Sequence, residues 1–296
     1  MNLSPAKRYL FACALGSLSQ TSLGAEVRIL THPHTPGAYE PFIIDVPAAG
    51  SSTVPLAIDI AVDADQINIR YLRDRAGMLS PASPLGASVS GLPPGRYEIN
   101  VEEIQFNIVN LGWVTVAEAP PTIPVYSIFL ASAIHRYFLT ADEAERSQAL
   151  NNGVGFIIDE GFNAWPAEGP APSTAKPVCS FVADTYGYHI YESHFYTADE
   201  EECNFLQSFD SGWEYEGIAF QALVPVDGSC PTGTTPVWRL YNNEGHRNNS
   251  NHRYVTSQES YKALIANKRL WTRPPEDAEN WIGEGVAFCS PPAVEE

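Results

Sequence analysis

A phrase that returns three times limits what this chain can fold into more than any other feature. It is clearest as Ser193-His194-Phe195-Tyr196-Thr197-Ala198-Asp199-Glu200, followed by Trp213-Glu214-Tyr215-Glu216-Gly217. Upstream, His135 precedes Thr140-Ala141-Asp142-Glu143 and Glu160-Gly161-Phe162; downstream, His252 precedes Thr256-Ser257-Gln258-Glu259 and Glu284-Gly285. Between threonines the period is 197 − 140 = 57 and 256 − 197 = 59 residues, longer than an ankyrin or tetratricopeptide unit. Modules of that size need not stack as an open solenoid.

Each threonine carries a local expectation. Thr140 with Glu143, Thr197 with Glu200 and Thr256 with Glu259 have the capping-box spacing, in which hydroxyl and carboxylate satisfy the orphan N–H groups of a helix start. Three short helices are therefore expected from about residues 141, 198 and 257. An aromatic strand precedes each, and a strand carrying Glu-Gly follows. Each copy opens on a strand-like phrase: Pro124-Val125-Tyr126, Pro177-Val178-Cys179 and Pro236-Val237-Trp238. The unit is strand, strand, short helix, strand. Copies at residues 124–168, 177–225 and 236–292 would close into a pseudo-threefold α+β body spanning 124–292. Glu160, Glu216 and Glu284 are expected to accept from backbone donors, and the glycine after each permits a bulge.

Residues 26–119 follow a different rule. Phe42, Ile44 and Val46 alternate with other residues, as do Ile58, Ile60 and Val62, then Ile67, Ile69 and Tyr71, then Tyr97, Ile99 and Val101. Period two marks half-buried strands, and short strands at this spacing predict an immunoglobulin-like β-sandwich. Tyr97, just after Pro93-Pro94-Gly95, suits a tyrosine corner. Ala119 to Pro124 is a proline-rich joint to the array. The fold class is thus mainly β with an α+β repeat body.

The first 25 residues read as an export signal: Lys7 and Arg8, the apolar run Tyr9 to Leu18, then Ala25 as the small residue before cleavage. That run is shorter than the roughly 20 residues needed to span a bilayer. The compartment expected is secreted or periplasmic. Removing Cys13 with the signal leaves Cys179, Cys203, Cys230 and Cys289, which allow three pairings. Their long, irregular spacings lack the close pairs of a zinc site, and an oxidising compartment favours disulfides. His32-Pro33-His34 has no third ligand nearby. No metal or other cofactor is expected.

A formal net charge of −18 repels phosphate backbones and anionic lipid, which argues against nucleic acid and membrane partners. The chain has no Gly-x-Ser-x-Gly elbow, His-Glu-x-x-His helix or phosphate-binding glycine loop. His135, His194 and His252 with the repeated glutamates could serve acid–base chemistry. Measured to the following threonine, though, the histidines sit at 140 − 135 = 5, 197 − 194 = 3 and 256 − 252 = 4. Out of register and repeated threefold, they suit packing better than catalysis. The ligand-contact candidates are His194, Tyr196, Trp213, Trp238, His252 and Tyr254. Thr140, Glu143, Thr197, Glu200, Thr256, Glu259, Glu160, Glu216 and Glu284 are the structural set.

The phrases Ser193 to Ala198, Glu202-Cys203, Trp213 to Phe220, Cys230 to Asn242 and Asn251 to Thr256 together resemble a bacterial repeat family called domain of unknown function 5648. Copy one is the most worn, with Phe156-Ile157-Ile158-Asp159 in place of a tryptophan-centred phrase. The resemblance implies a secreted or surface protein, an array joined to other modules, and no particular chemistry. It also implies Cys179–Cys203, within copy two, and Cys230–Cys289, from just before copy three to its final strand, as the disulfides, neither crossing between copies two and three. The function expected is an exported, monomeric, non-catalytic binding or adhesion protein that recognises carbohydrate or envelope material. A secreted hydrolase with the array as accessory module, or a structural spacer, is the alternative.

Overall fold

The computed structural model describes residues 30–33, 35–46, 57–72, 85–102, 108–130, 136–151, 155–157, 161–184, 192–208, 212–245, 249–266 and 281–292. The expected export signal, His34, His135 and Glu160 lie outside these residues. The protein is mainly β: seventeen strands and three short helices among the described residues.

The alternating N-terminal segments form strands β1 (Leu30–His32), β2 (Phe42–Val46), β3 (Ala57–Asp63), β4 (Gln66–Leu72), β5 (Leu85–Val89), β6 (Gly95–Glu102) and β7 (Ile108–Val116). They make two sheets, ordered β1-β2-β5 and β3-β4-β6-β7. Phe42, Ile44, Ala87 and Val89 of the first and Ile67, Ile69, Ile99 and Val101 of the second meet in one apolar cluster, which is how period-two strands bury their inner faces. The Tyr97 hydroxyl donates to the Pro93 carbonyl at 3.0 Å, a tyrosine corner. One feature departs from the immunoglobulin arrangement, whose sheets are antiparallel: β4 and β6 run parallel. The two-layer sandwich is present with a different strand order.

The array repeats one topology. Copy one holds β8 (Ile123–Leu130), β9 (Arg136–Thr140), α1 (Glu143–Asn151), β10 (Gly155–Ile157) and β11 (Phe162–Pro166). Copy two holds β12 (Lys176–Asp184), β13 (Glu192–Thr197), α2 (Glu200–Ser208) and β14 (Glu214–Ala222). Copy three holds β15 (Thr235–Tyr241), β16 (His252–Val255), α3 (Gln258–Ile265) and β17 (Ile282–Ser290). In each, the first strand lies between the second and the last, all antiparallel.

Paired positions show which residues correspond. Val125 faces Phe162, Val178 faces Phe220 and Val237 faces Phe288. These three phenylalanines form a triangle with ring centroids 5.6, 5.6 and 5.7 Å apart. Each copy buries one corner that it could not cover alone, so the three share a core that also holds Leu139, Tyr196 and Tyr254. Backbone pairing crosses the joint between copies one and two, where Trp165 and Pro166 face Gln221 and Phe220, and a single antiparallel bridge, Leu223 to Cys289, crosses from copy two to copy three.

The helix starts correct the sequence-based expectation. Asp142, Asp199 and Ser257 are the capping residues: their side-chain oxygens accept from the N–H of Glu145 at 3.4 Å, Glu202 at 2.8 Å and Ser260 at 3.1 Å. Thr140 and Thr197 sit two residues earlier and accept from the N–H of Asp142 and Asp199, a hydroxyl turn that aims the cap. Glu143 and Glu200 open their helices instead of occupying the third position, and in copy three Ser257, not Thr256, is the cap. Their acidity still suits the positive end of the helix dipole.

Sandwich and array pack against each other beside the proline-rich joint. Trp165 is fully buried in the sandwich cluster with Leu223 and Cys289. Its indole N–H donates to the Pro120 carbonyl at 3.0 Å, and its ring meets Tyr39 edge-on at 6.2 Å. The disulfides join Cys179 to Cys203 and Cys230 to Cys289, with Cα atoms 6.1 and 5.6 Å apart.

Candidate functional site

Counted from the caps, the histidines are in register. His194 and His252 both sit five residues before their cap, 199 − 194 = 5 and 257 − 252 = 5. The corresponding residue of copy one is Tyr137, since 142 − 137 = 5, and not His135. The threonine-based alignment hid this because copy three is shifted by one residue. Tyr196 and Tyr254 then correspond to each other and to Leu139.

These positions link neighbouring copies. The Tyr196 hydroxyl donates to the Leu139 carbonyl at 2.8 Å and accepts from the Leu139 N–H at 3.1 Å. Tyr254 does the same to Tyr196, at 2.7 and 2.8 Å. A buried hydroxyl thus ties β9 to β13 and β13 to β16, strands that do not pair with one another, and burial pushes both phenols up. One position outward, Phe138 packs on His194 at 5.4 Å and Phe195 on His252 at 4.7 Å. Arg253 then covers Tyr137 at 5.1 Å, completing the circuit of three copies.

The Glu-Gly strands supply the polar part. Gly217 and Gly285 have φ of 127° and 93° and sit at matching register shifts in β14 and β17. Such positive φ within a bulge favours glycine. The bulge turns the preceding glutamate onto a side-chain donor, not the backbone donor expected. Glu216 accepts from the Ser180 hydroxyl at 2.7 Å. Glu284 accepts from Arg239 Nε at 2.8 Å, and the guanidinium fork also holds Glu202 of copy two at 2.9 and 3.2 Å. Each glutamate lies 3.9 Å from the histidine of its own copy, beyond hydrogen-bond reach.

The two joints differ in openness. Between copies two and three, His252 is buried among Phe195, Tyr241 and Trp213. Burial, with Arg239 adding to it, lowers its pKa from 6.5 to about 3, so the ring is neutral. Between copies one and two lies a cleft of about 710 Å³. Leu139, Asp142 and Glu145 line it from copy one; Ser180, His194 and Glu216 line it from copy two. Glu143 also lines it, and among the described residues no lysine or arginine does. His194, then the Ser180 hydroxyl, holds the Glu216 carboxyl below its ordinary range against the opposing effect of burial.

Of the residues expected to meet a ligand, only His194 and Tyr196 reach this cleft. His252 and Tyr254 are core residues. Trp213 packs on Phe195 at 5.8 Å, and Trp238 stacks on Tyr261 of α3 at 5.9 Å. Ser180, Arg239, Asp142 and Glu145 were missed. The signal for Ser180 and Arg239 was their shared place, two residues after Val178 and Val237. It becomes visible only once the valines are aligned.

The described residues thus form three β-rich copies that share one aromatic core, with a cleft between copies one and two. The sequence profile described as "Domain of unknown function (DUF5648)" matches residues 96–223 and again 188–293. The chain belongs to this family. The first match begins within the sandwich, 124 − 96 = 28 residues before Pro124. No curated protein and no solved structure matches the chain.

Proposed function

We propose that this is an exported, monomeric, non-catalytic binding protein whose cleft between copies one and two holds a carbohydrate or cell-envelope component. The observation that carries this reading is how the polar groups of the cleft are engaged. The Ser180 hydroxyl proton points at Glu216, a carboxylate held below its ordinary range and so a weak base, and no hydrogen bond joins Ser180 to His194, so the serine lacks the imidazole base of an activated nucleophile. The Asp142 carboxylate is engaged in capping α1. What the cleft offers is a set of fixed hydrogen-bond acceptors over an apolar floor, suited to hydroxyl or amino groups.

Two disulfides fit an oxidising, extracytoplasmic compartment. Among the described residues no helix is long and apolar enough to cross a membrane. A glycan array and an envelope-fraction pull-down with the mature protein test the reading. Ala167→Trp, placed in the cleft wall, should abolish the signal while leaving the melting temperature unchanged. Equal binding by both proteins, or none by either, would remove the cleft from consideration. The hydrolase alternative rests on Glu216, an ionised carboxylate beside His194. Turnover of chromogenic glycoside, ester or peptide substrates that Glu216→Gln eliminates would favour it.

A further inference from the structure

We propose that the outward face of the β3-β4-β6-β7 sheet is a second binding surface, for an uncharged glycan chain, with Trp113 as its platform. This face lies on the sandwich and is independent of the cleft. The evidence begins with a change of strand parity. Asn110 and Trp113 are three residues apart, so in a regular strand they would point to opposite faces. Both are exposed, while Leu111 and Val114 are buried. A bulge achieves this: Ile99 faces Gly112 and Asn100 faces Asn110, leaving Leu111 as the extra residue. Gly112 takes φ of 112° and the Asn110 side chain accepts from its N–H at 2.8 Å. A bulge of this kind re-aims a side chain, and here it turns the largest side chain type outward.

The indole is 44 % exposed, and Arg96 lies over it at 4.5 Å, which fixes its plane. Around it the face carries flat amide, carboxylate and guanidinium groups held by one another. Glu98 accepts from Gln66 at 3.3 Å and from Asn110 at 2.5 Å. Asn110 also donates to Asn100 at 3.3 Å, and Arg70 donates to Glu102 at 2.6 Å. The register places these groups in rows across the sheet: Asp63, Gln66, Glu98 and Trp113 in one, Asn68, Asn100 and Asn110 in the next. With strands roughly 4.8 Å apart, a row spans about 14 Å.

Preorganised donors and acceptors beside a half-exposed indole, one face held by Arg96 and the rest open to solvent, match a sugar ring, which has polar edges and an apolar C–H face. The exposed carboxylates Asp59 and Asp63 and the overall charge of −18 disfavour an anionic polymer. Among the described residues the two arginines of this face are already engaged, Arg70 by Glu102 and Arg96 by the Trp113 ring, which leaves them poorly placed to neutralise the phosphates of a nucleic acid.

Affinity electrophoresis in native gels containing hydroxyethyl cellulose, xyloglucan, galactomannan, laminarin or dextran tests the proposal with the mature protein. Wild type should be retarded in at least one gel. Trp113→Ala should weaken the interaction about tenfold or more, since it removes a whole aromatic contact. Asn68→Ala should weaken it less and serves if Trp113→Ala folds poorly. Glu216→Gln and Ala167→Trp should leave it unchanged. No retardation in any gel, full retardation of both sandwich variants, or loss caused by the cleft variants would overturn the proposal. So would a wild-type dimer in sedimentation that Trp113→Ala dissociates, because the face would then be a self-association surface.

Discussion

Replacing His252 with Phe should remove a defined part of the acid sensitivity of this protein. His252 is 7 % exposed and ringed by Phe195 at 4.7 Å, Tyr241 at 5.0 Å and Trp213 at 6.2 Å. Glu284, at 3.9 Å, would favour protonation, but its charge is already engaged by Arg239. Burial together with the Arg239 charge wins and lowers the pKa to about 3. The sign follows from proton counting. Below pH 6.5 the unfolded chain protonates this histidine and the folded protein does not, so stability falls as pH drops from 6.5 toward 3. At about 1.4 kcal/mol per pH unit, the loss between pH 7 and pH 5 from this one residue is about 2 kcal/mol.

Phenylalanine fills a similar volume on the same aromatic shelf and does not titrate. Urea melts of oxidised wild type and His252→Phe at pH 7 and pH 5, at constant ionic strength, measure the difference. The variant should lose about 2 kcal/mol less than wild type over that interval. Identical losses in the two proteins would show that His252 is protonated in the folded state or is reached by water.

Three further outcomes follow from the joints and caps. Tyr196→Phe strands the Leu139 N–H and carbonyl in the core and should cost about 1–3 kcal/mol in a denaturant melt. Asp199→Ala should cost about 1 kcal/mol by removing the α2 cap, and Thr197→Ala, which only positions that cap, should cost less; the reverse order would return the capping role to the threonine. Non-reducing peptide mapping should recover Cys179 with Cys203 and Cys230 with Cys289, and opening these loops of 24 and 59 positions should cost about 3.5 and 4 kcal/mol in the loop-closure account.

Local pattern made the elements legible: period-two runs became strands, and acidic helix starts recurred at each copy. What the sequence left undecided was register. Thr256 looks like the counterpart of Thr197, yet backbone pairing sets Thr197 opposite Cys179 and Val255 opposite Trp238. That single-residue slip concealed the His194 and His252 correspondence. Contacts between copies were equally hidden, because Tyr196 reaches a backbone 57 residues away and nothing in its own segment announces a partner. Most of the aromatic ligand candidates pack in the interior, because three copies sharing one core must fill it with large side chains. The exposed Trp113 escaped notice for the opposite reason: a bulge is invisible in an alternating pattern until the pairing is known.

The most direct measurement of the central claim is a crystal structure of the mature protein with the ligand that the glycan array or envelope pull-down identifies. The account expects that ligand between copies one and two, with hydroxyl or amino groups on the Glu216 and Glu145 carboxylates and its body over Leu139 and Ile218. Ligand seated elsewhere on the array, or an unchanged empty cleft under saturating ligand, would contradict it.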